Sequence, residues 1–159
     1  MKSSSIYTPT VILMAGAAGI CSGSNYFSQP LIHSMAVALH LSETTVAWVP
    51  TLAQIAYASG LLLLMPLGDI LEKRRLLFIL MLLASLGLLI SGFSSHIGWI
   101  MFGTLITGLF SVSAQLLLPL SASLVPIQHS GRVVGFLISG LMIGILLARS
   151  LSGLMSTLF

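Results

Sequence analysis

Charge is what this chain has least of. Its 159 residues include three acids, Glu43, Asp69 and Glu72, and six Lys or Arg, together 6% of the sequence. A soluble domain carries about 25% charged residues. With 57% hydrophobic residues and a mean hydropathy of +1.11, the composition excludes a water-soluble globule and places the chain in a lipid bilayer. The one cysteine, Cys21, excludes an internal disulfide and a Cys-based metal site. A single aspartate cannot form the pair that a membrane aspartyl protease needs. His40, His96 and His129 fall in expected loops, and His33 lies near the end of the first apolar run. That leaves no intramembrane Ser–His dyad, no facing haem ligands and no metal cluster, so neither an enzyme nor a cofactor is expected. The net charge of +3 is not a nucleic-acid footprint, because the basic residues form no face free of apolar flanks.

What is present is a series of long apolar runs. A helix needs roughly 20 apolar residues to cross a hydrocarbon core about 30 Å thick. Five spans are predicted, at about 10–39, 44–67, 76–93, 97–125 and 133–158. The second opens on "LSETTV", with Ser42 as N-cap and Glu43 in the first turn. Pro50 comes early in that span, where a missing amide hydrogen costs least. The third ends at the polar "SSH", the fourth is expected to be interrupted by Pro119, and "PIQHSGR" reads as a loop before the fifth. Strands are excluded, since the runs are long, do not alternate, and must satisfy their own backbone in lipid. The N-terminus has a basic start and an apolar run like a signal peptide, but the apolar character continues to Leu41, and Ile20 rather than a small residue precedes Cys21. An uncleaved first span is the expectation. The fold class is all-α, a polytopic transmembrane helix bundle forming a single domain over residues 1–159.

Basic residues orient the bundle. Lys2, the cluster Lys73, Arg74 and Arg75, and Arg132 fall at ends that alternate to one side, while the segments near 40–43 and 94–96 carry no Lys or Arg. The expectation is a plasma (bacterial inner) membrane protein with a cytoplasmic N-terminus and Phe159 on the far side. A chain stopping at its fifth span reads as a piece of something longer.

Five of the nine charges lie in "LGDILEKRRLL", residues 67–77. The basic half is explained as an anchor that fixes topology. Asp69 is not, because an acid at the end of an apolar helix does nothing for orientation and needs a partner, such as Arg74, Arg75 or a helix N-terminus. "MPLGDILEKRR" resembles the signature between the second and third helices of the major facilitator superfamily, G-x-L-[AG]-D-[RK]-x-G-[RK]-[RK]. It matches at Leu67, Gly68, Asp69, Lys73 and Arg74 and departs at Met65, Ile70 and Glu72. "NYFSQPL" resembles the Gln-Pro-Leu segment of efflux-type members, and "GRVVGFLISGLMIGILLARSLSGL" the Gly-rich fifth helix of antiporter-type members. The likeness covers the whole chain but only the first five of the family's twelve helices. The fourth-helix Arg common in such members is absent, with Thr104 in "FGTLITGL" instead.

The resemblance implies a secondary transporter that moves a small solute, outward, by alternating access, drawing on an ion gradient. Gly68, Asp69, Lys73, Arg74 and Arg75 would form a gating latch against a missing C-terminal half. The chain alone would then be truncated and inactive. The alternative is a small non-transporting membrane scaffold or partner protein. Within the spans, Asn25, Tyr26, Gln29, Gln54, Thr107, Gln115 and Arg149 are the substrate-cavity candidates. Gly103, Thr107, Ser111 and Gln115 share a face at four-residue spacing, which reads as a hydrogen-bonding seam or a substrate wall. Arg149 lies about 16 residues, roughly 24 Å, into its span. It has two readings: a side chain snorkelling to the outer headgroups, or a cation facing an anion in a central cavity. Gly140, Gly144, Ala148 and Ser152 form a small-residue stripe for close helix packing, across which helices could also slide.

Overall fold

The computed structural model describes residues 4–158, without the side chains of residues 4–8, 69 and 158. Lys2, Phe159 and the side chain of Asp69 therefore lie outside the described residues. The described residues form nine helical segments: α1 (Ser4–Gly23), α2 (Ile32–Leu39), α3 (Glu43–Val46), α4 (Trp48–Leu64), α5 (Leu67–Ile70), α6 (Lys73–Gly92), α7 (Ile97–Phe110), α8 (Ser113–Ser123) and α9 (Ile127–Leu158). By length and composition, Glu43–Leu64, Lys73–Gly92, Ile97–Ser123 and Ile127–Thr157 can each cross a membrane, and Pro9–Gly23 is a shorter apolar helix. The protein is an all-α polytopic bundle.

The first span is not the unbroken helix expected over 10–39. It stops at Gly23 and resumes at Ile32. The sequence there is "SGSNYFSQP", in which Ser and Asn compete for backbone hydrogen bonds and Pro30 removes a donor and disfavours a helical Gln29. The Ser24 hydroxyl donates to the Cys21 carbonyl at 2.7 Å. The Asn25 and Tyr26 amides close tight turns onto Ser22 and Gly23 at 3.1 and 3.0 Å. Length and hydropathy pointed to one helix, and local chemistry made two.

Three further expectations shift. Pro119 lies inside α8 and does not interrupt it. The fourth span instead breaks at Ser111–Val112, where the Ser111 amide is shared between the carbonyls of Thr107 at 2.9 Å and Gly108 at 3.3 Å. Its hydroxyl bonds back to Thr107 at 2.6 Å, a pattern that bends helices. "PIQHSGR" is not a loop, because α9 starts at Ile127, directly after Pro126. Pro fits the first turn of a helix, whose amides lack partners anyway. Lys73, Arg74 and Arg75 form the first turn of α6 rather than a loop. Ser42 caps α3 as its type predicts, its hydroxyl accepting from the Thr45 amide at 3.3 Å.

Segment α7 packs between α4 and α6, while α9 packs along α1 and α8. A core of Ala15, Ala18, Leu76, Leu80, Leu117 and Leu137 joins α1, α6, α8 and α9 toward the end that carries Lys73–Arg75, called here the basic end. Lipid tails are as apolar as leucine, so helices associate here by close packing rather than by escape from water. Glycines make that packing possible. A Cβ on Gly19 would lie 2.7 Å from the Gly140 carbonyl oxygen, and one on Gly144 would lie 2.5 Å from the carbonyl carbon of Gly19. A Cβ on Gly87 would lie 2.6 Å from the Gly103 oxygen, and one on Gly108 2.5 Å from the Ala53 oxygen. Backbone therefore meets backbone at the α1–α9, α6–α7 and α4–α7 crossings.

Candidate functional site

The two broken spans meet at their breaks. Ser24 and Ser111 approach to 3.4 Å between hydroxyl oxygens. Around this level the bundle encloses a recess of about 60 Å³, whose polar lining is Ser22, Asn25, Tyr26, Tyr57, Ser111 and Gln115. Leu141 and Ile145 of α9 close its apolar side. The first span, α4, the α7–α8 junction and α9 thus each contribute. The Gln115 side-chain nitrogen donates to the Tyr57 hydroxyl at 3.0 Å, tying α8 to α4.

Asn25 is the anomaly of this region. Its residue is 4% exposed, and neither its amide nitrogen nor its amide oxygen has a hydrogen-bond partner among the described residues. A buried amide left unpaired costs about 1–3 kcal/mol per group. On its other side Asn25 borders a void of about 10 Å³ shared with Ser28, Ser91, Thr104 and Thr107, room for a single water at most.

Arg149 lies one turn beyond Ile145 on the same face of α9. Its guanidinium donates to the side-chain oxygen of Gln29 and stands 5.8 Å from the centre of the Tyr26 ring. Arg149 thus turns across to the broken segment of the first span. Glu43 pairs with His33 at 2.6 Å, and Glu72 with Arg75 at 2.9 Å. Asp69 belongs by its backbone to α5 at the basic end, whereas Arg149 lies roughly 33 Å along α9 from Ile127 at 1.5 Å per residue.

Of the seven sequence-named cavity residues, the fold gathers Asn25, Tyr26 and Gln115 around the recess, with Gln29 and Arg149 beside Tyr26. It does not bring Thr107 and Gln54 there. Thr107 is buried in the α6–α7 seam, its hydroxyl donating to the Gly103 carbonyl at 2.9 Å. The Gln54 side-chain nitrogen is buried on α4 without a partner among the described residues. Tyr57, Ser22 and Ser111 complete the recess. Tyr57 and Ser22 are not among the sequence-named residues, although their spacing is a signal: Ser22 and Tyr26 are four apart, and Tyr57 is three from Gln54. A larger cavity, about 700 Å³, lies elsewhere, among α1, the break after it, α6, α7 and α9, and is lined mainly by apolar groups such as Phe27, Leu31, Leu88 and Leu147. It takes in none of the seven polar candidates.

At the basic end, Gly68 is buried against α8, so that a Cβ there would lie 2.6 Å from a Leu116 methyl. The Gly68 amide closes a turn onto Met65 at 3.0 Å, and Leu71 onto Leu67 at 2.8 Å, which brings α4, α5 and α6 round in eight residues. Lys73 borders a groove of about 400 Å³ with Met65, Pro66, Gly68 and Pro119.

The sequence profile of the Major Facilitator Superfamily matches residues 14–159. The chain belongs to that superfamily. Among its relatives is the "Uncharacterized transporter YgaY" of Escherichia coli O157:H7, 46% identical over 148 residues, covering 93% of this chain and 38% of the relative. Another is the "Probable transporter SCO4007" of Streptomyces coelicolor, 35% identical over 147 residues, covering 92% of this chain and 34% of the relative. The chain thus spans somewhat over a third of the length of these curated relatives. No solved structure matches it. As a major facilitator protein it is a multi-pass membrane protein.

Proposed function

We propose that this chain forms the N-terminal part of a secondary active transporter, which exports a small solute by alternating access and does not transport alone. It has no enzymatic role in this reading. The observation that carries it is the polar recess at the level of two helix breaks, to which four spans contribute and beside which an arginine stands. Discontinuous helices near mid-membrane are where secondary transporters place substrate and ion sites. Gly68, Asp69 and Lys73–Arg75 act as the gate at the cytoplasmic face, against the second half of the intact transporter.

Uptake into inverted vesicles tests the transport reading. The chain alone is expected to give no gradient-driven movement of any solute in a broad panel. Joined in frame to the C-terminal remainder of the E. coli relative, it is expected to give movement that Asp69→Asn abolishes. Movement by the chain alone would overturn the half-transporter reading, and a silent chimera would remove the support for transport.

Orientation has its own measurement. A fluorescent protein attached at Phe159 is expected to stay dark and alkaline phosphatase at the same site to be active, with the reverse for fusions at Glu72. A bright fluorescent fusion at Phe159 contradicts the cytoplasmic N-terminus.

A further inference from the structure

We infer that the recess and Arg149 together bind an organic anion, a carboxylate that also carries a neutral hydrogen-bonding group such as a hydroxyl. This deepens the transporter reading and rests on it only for the purpose of binding.

Three observations converge. Among the described residues, Arg149 is the only Lys or Arg more than two turns from the start of its helix. Its described partners, the Gln29 side-chain oxygen and the Tyr26 ring, are both neutral. One neutral acceptor uses one of the five guanidinium donors. The remaining donors are exposed, and no acid among the described residues pairs with them. A carboxylate supplies the missing charge with two parallel hydrogen bonds.

Second, both amide atoms of Asn25 are unpartnered among the described residues, at 4% exposure on the recess wall. An amide in that state can both donate and accept, which suits a hydroxyl or a second amide rather than an ion. The adjoining void of about 10 Å³ can hold one water and so serves at most one face of Asn25. Third, Tyr26 connects the two parts, lining the recess and facing the guanidinium. With about 60 Å³, the recess holds a small polar group and not a whole amphipathic molecule. The charged end therefore lies outside it, where Arg149 is exposed.

Thermal melting of the purified chain in detergent tests this with matched ligands. Lactate, lactamide and 1-amino-2-propanol share a hydroxyl and differ in charge. So do 4-hydroxyphenylacetate, its amide and tyramine. The carboxylates are expected to raise the melting temperature, and the amides and amines are not. Arg149→Gln is expected to weaken carboxylate binding by about tenfold or more, the effect of losing a charged hydrogen bond. Arg149→Lys is expected to retain the preference for anions at lower affinity. Asn25→Leu, which removes both amide atoms, is expected to weaken binding of the hydroxyl-bearing carboxylates and to leave propionate and phenylacetate unchanged.

The inference fails if no carboxylate stabilises the parent chain, if the neutral or cationic analogues do so equally, or if Arg149→Gln binds as the parent does. Should Arg149→Gln not fold, an Asn25→Leu chain that binds lactate and 4-hydroxyphenylacetate as the parent does overturns it. Equal stabilisation by inorganic phosphate or phosphatidylglycerol vesicles overturns the carboxylate in favour of a phosphate headgroup. Carboxylate binding without transport by the chimera keeps this inference and removes the transporter reading. Transport restricted to neutral or cationic solutes does the reverse.

Discussion

Gly144→Val is expected to abolish recovery of a monodisperse chain from detergent. A Cβ at this position would lie 2.5 Å from the carbonyl carbon of Gly19, inside the 3.0 Å that real Cβ contacts essentially never cross. The obstacle is backbone, which cannot rotate aside as a side chain can, and valine adds two methyls to the same point. Overpacking a core typically costs about 1–3 kcal/mol when neighbours can yield. Here the helices themselves must part, and the contacts that lie in register go with them: a Cβ on Gly19 would be 2.7 Å from Gly140, and one on Gly23 would be 3.1 Å from the Ala148 Cβ. In lipid nothing replaces them, because separated apolar helices are solvated as well as docked ones. The control is Gly135→Val on the same helix, where a Cβ meets nothing within 4 Å. It is expected to change stability by less than about 0.5 kcal/mol, as surface substitutions usually do. Size-exclusion profiles and thermal melts of the two variants decide the matter. A Gly144→Val chain that elutes and melts like its parent removes the close crossing.

Gly60→Val is expected to damage stability and binding together. A Cβ there would lie 2.8 Å from a Val112 methyl and still nearer the Leu109 carbonyl, both beside the break in the fourth span. Pushing α4 from α7 at this point separates Tyr57, one turn earlier on α4, from Gln115, one turn beyond the break. Their 3.0 Å hydrogen bond closes one side of the recess. The variant is therefore expected to melt lower and to lose its response to carboxylates. Gln115→Leu in the parent separates the two effects: it removes the same hydrogen bond, worth about 1 kcal/mol, without moving a helix. If Gly60→Val melts lower yet binds carboxylates normally, the α4–α7 crossing does not shape the recess.

How much of this the sequence disclosed depended on which interaction decided each element. Bilayer crossing depends on summed apolar character, so the runs were legible by counting. The ends and breaks depend on single hydrogen bonds. At Ser22–Pro30 the turn chemistry was in plain view, yet run length outweighed it. Pro119 drew attention as a helix breaker, but in lipid neighbouring packing lets a helix continue through proline. The actual break came from Ser111 and Thr107, whose hydroxyls bond back to carbonyls four residues earlier. Pro126 opened a helix that was read as starting six residues later, because Gly131 and Ser130 imitate a loop.

The site shows the same division. Asn25, Gln29 and Arg149 stood out because polar groups are rare in apolar runs, and rarity needs no structure to notice. Which of them meet is a matter of helix rotation and crossing, which the sequence sets only through pairs of small residues on different helices. The stripe at Gly140, Gly144 and Ala148 was visible. Its counterpart at Ala15, Gly19 and Gly23 has the same four-residue period but lies within a run of small residues, "AGAAG", that offers several periods at once. Thr107 shows the converse, a polar residue whose hydroxyl is spent within the α6–α7 seam, on the carbonyls of Gly103 at 2.9 Å and Ala84 at 3.4 Å.

The α1–α9 crossing also has an entropic character. Its facing residues, Ala15, Gly19 and Gly23 against Gly140, Gly144 and Ala148, have no χ1 rotamers to freeze. Burying side chains such as Met or Gln costs up to about 2 kcal/mol each in lost rotamer freedom, and burying Gly or Ala costs essentially none. These two helices can therefore separate and re-dock many times without reordering side chains at the contact, so the rigidity of the joint and the ease of remaking it come from the same absence of atoms.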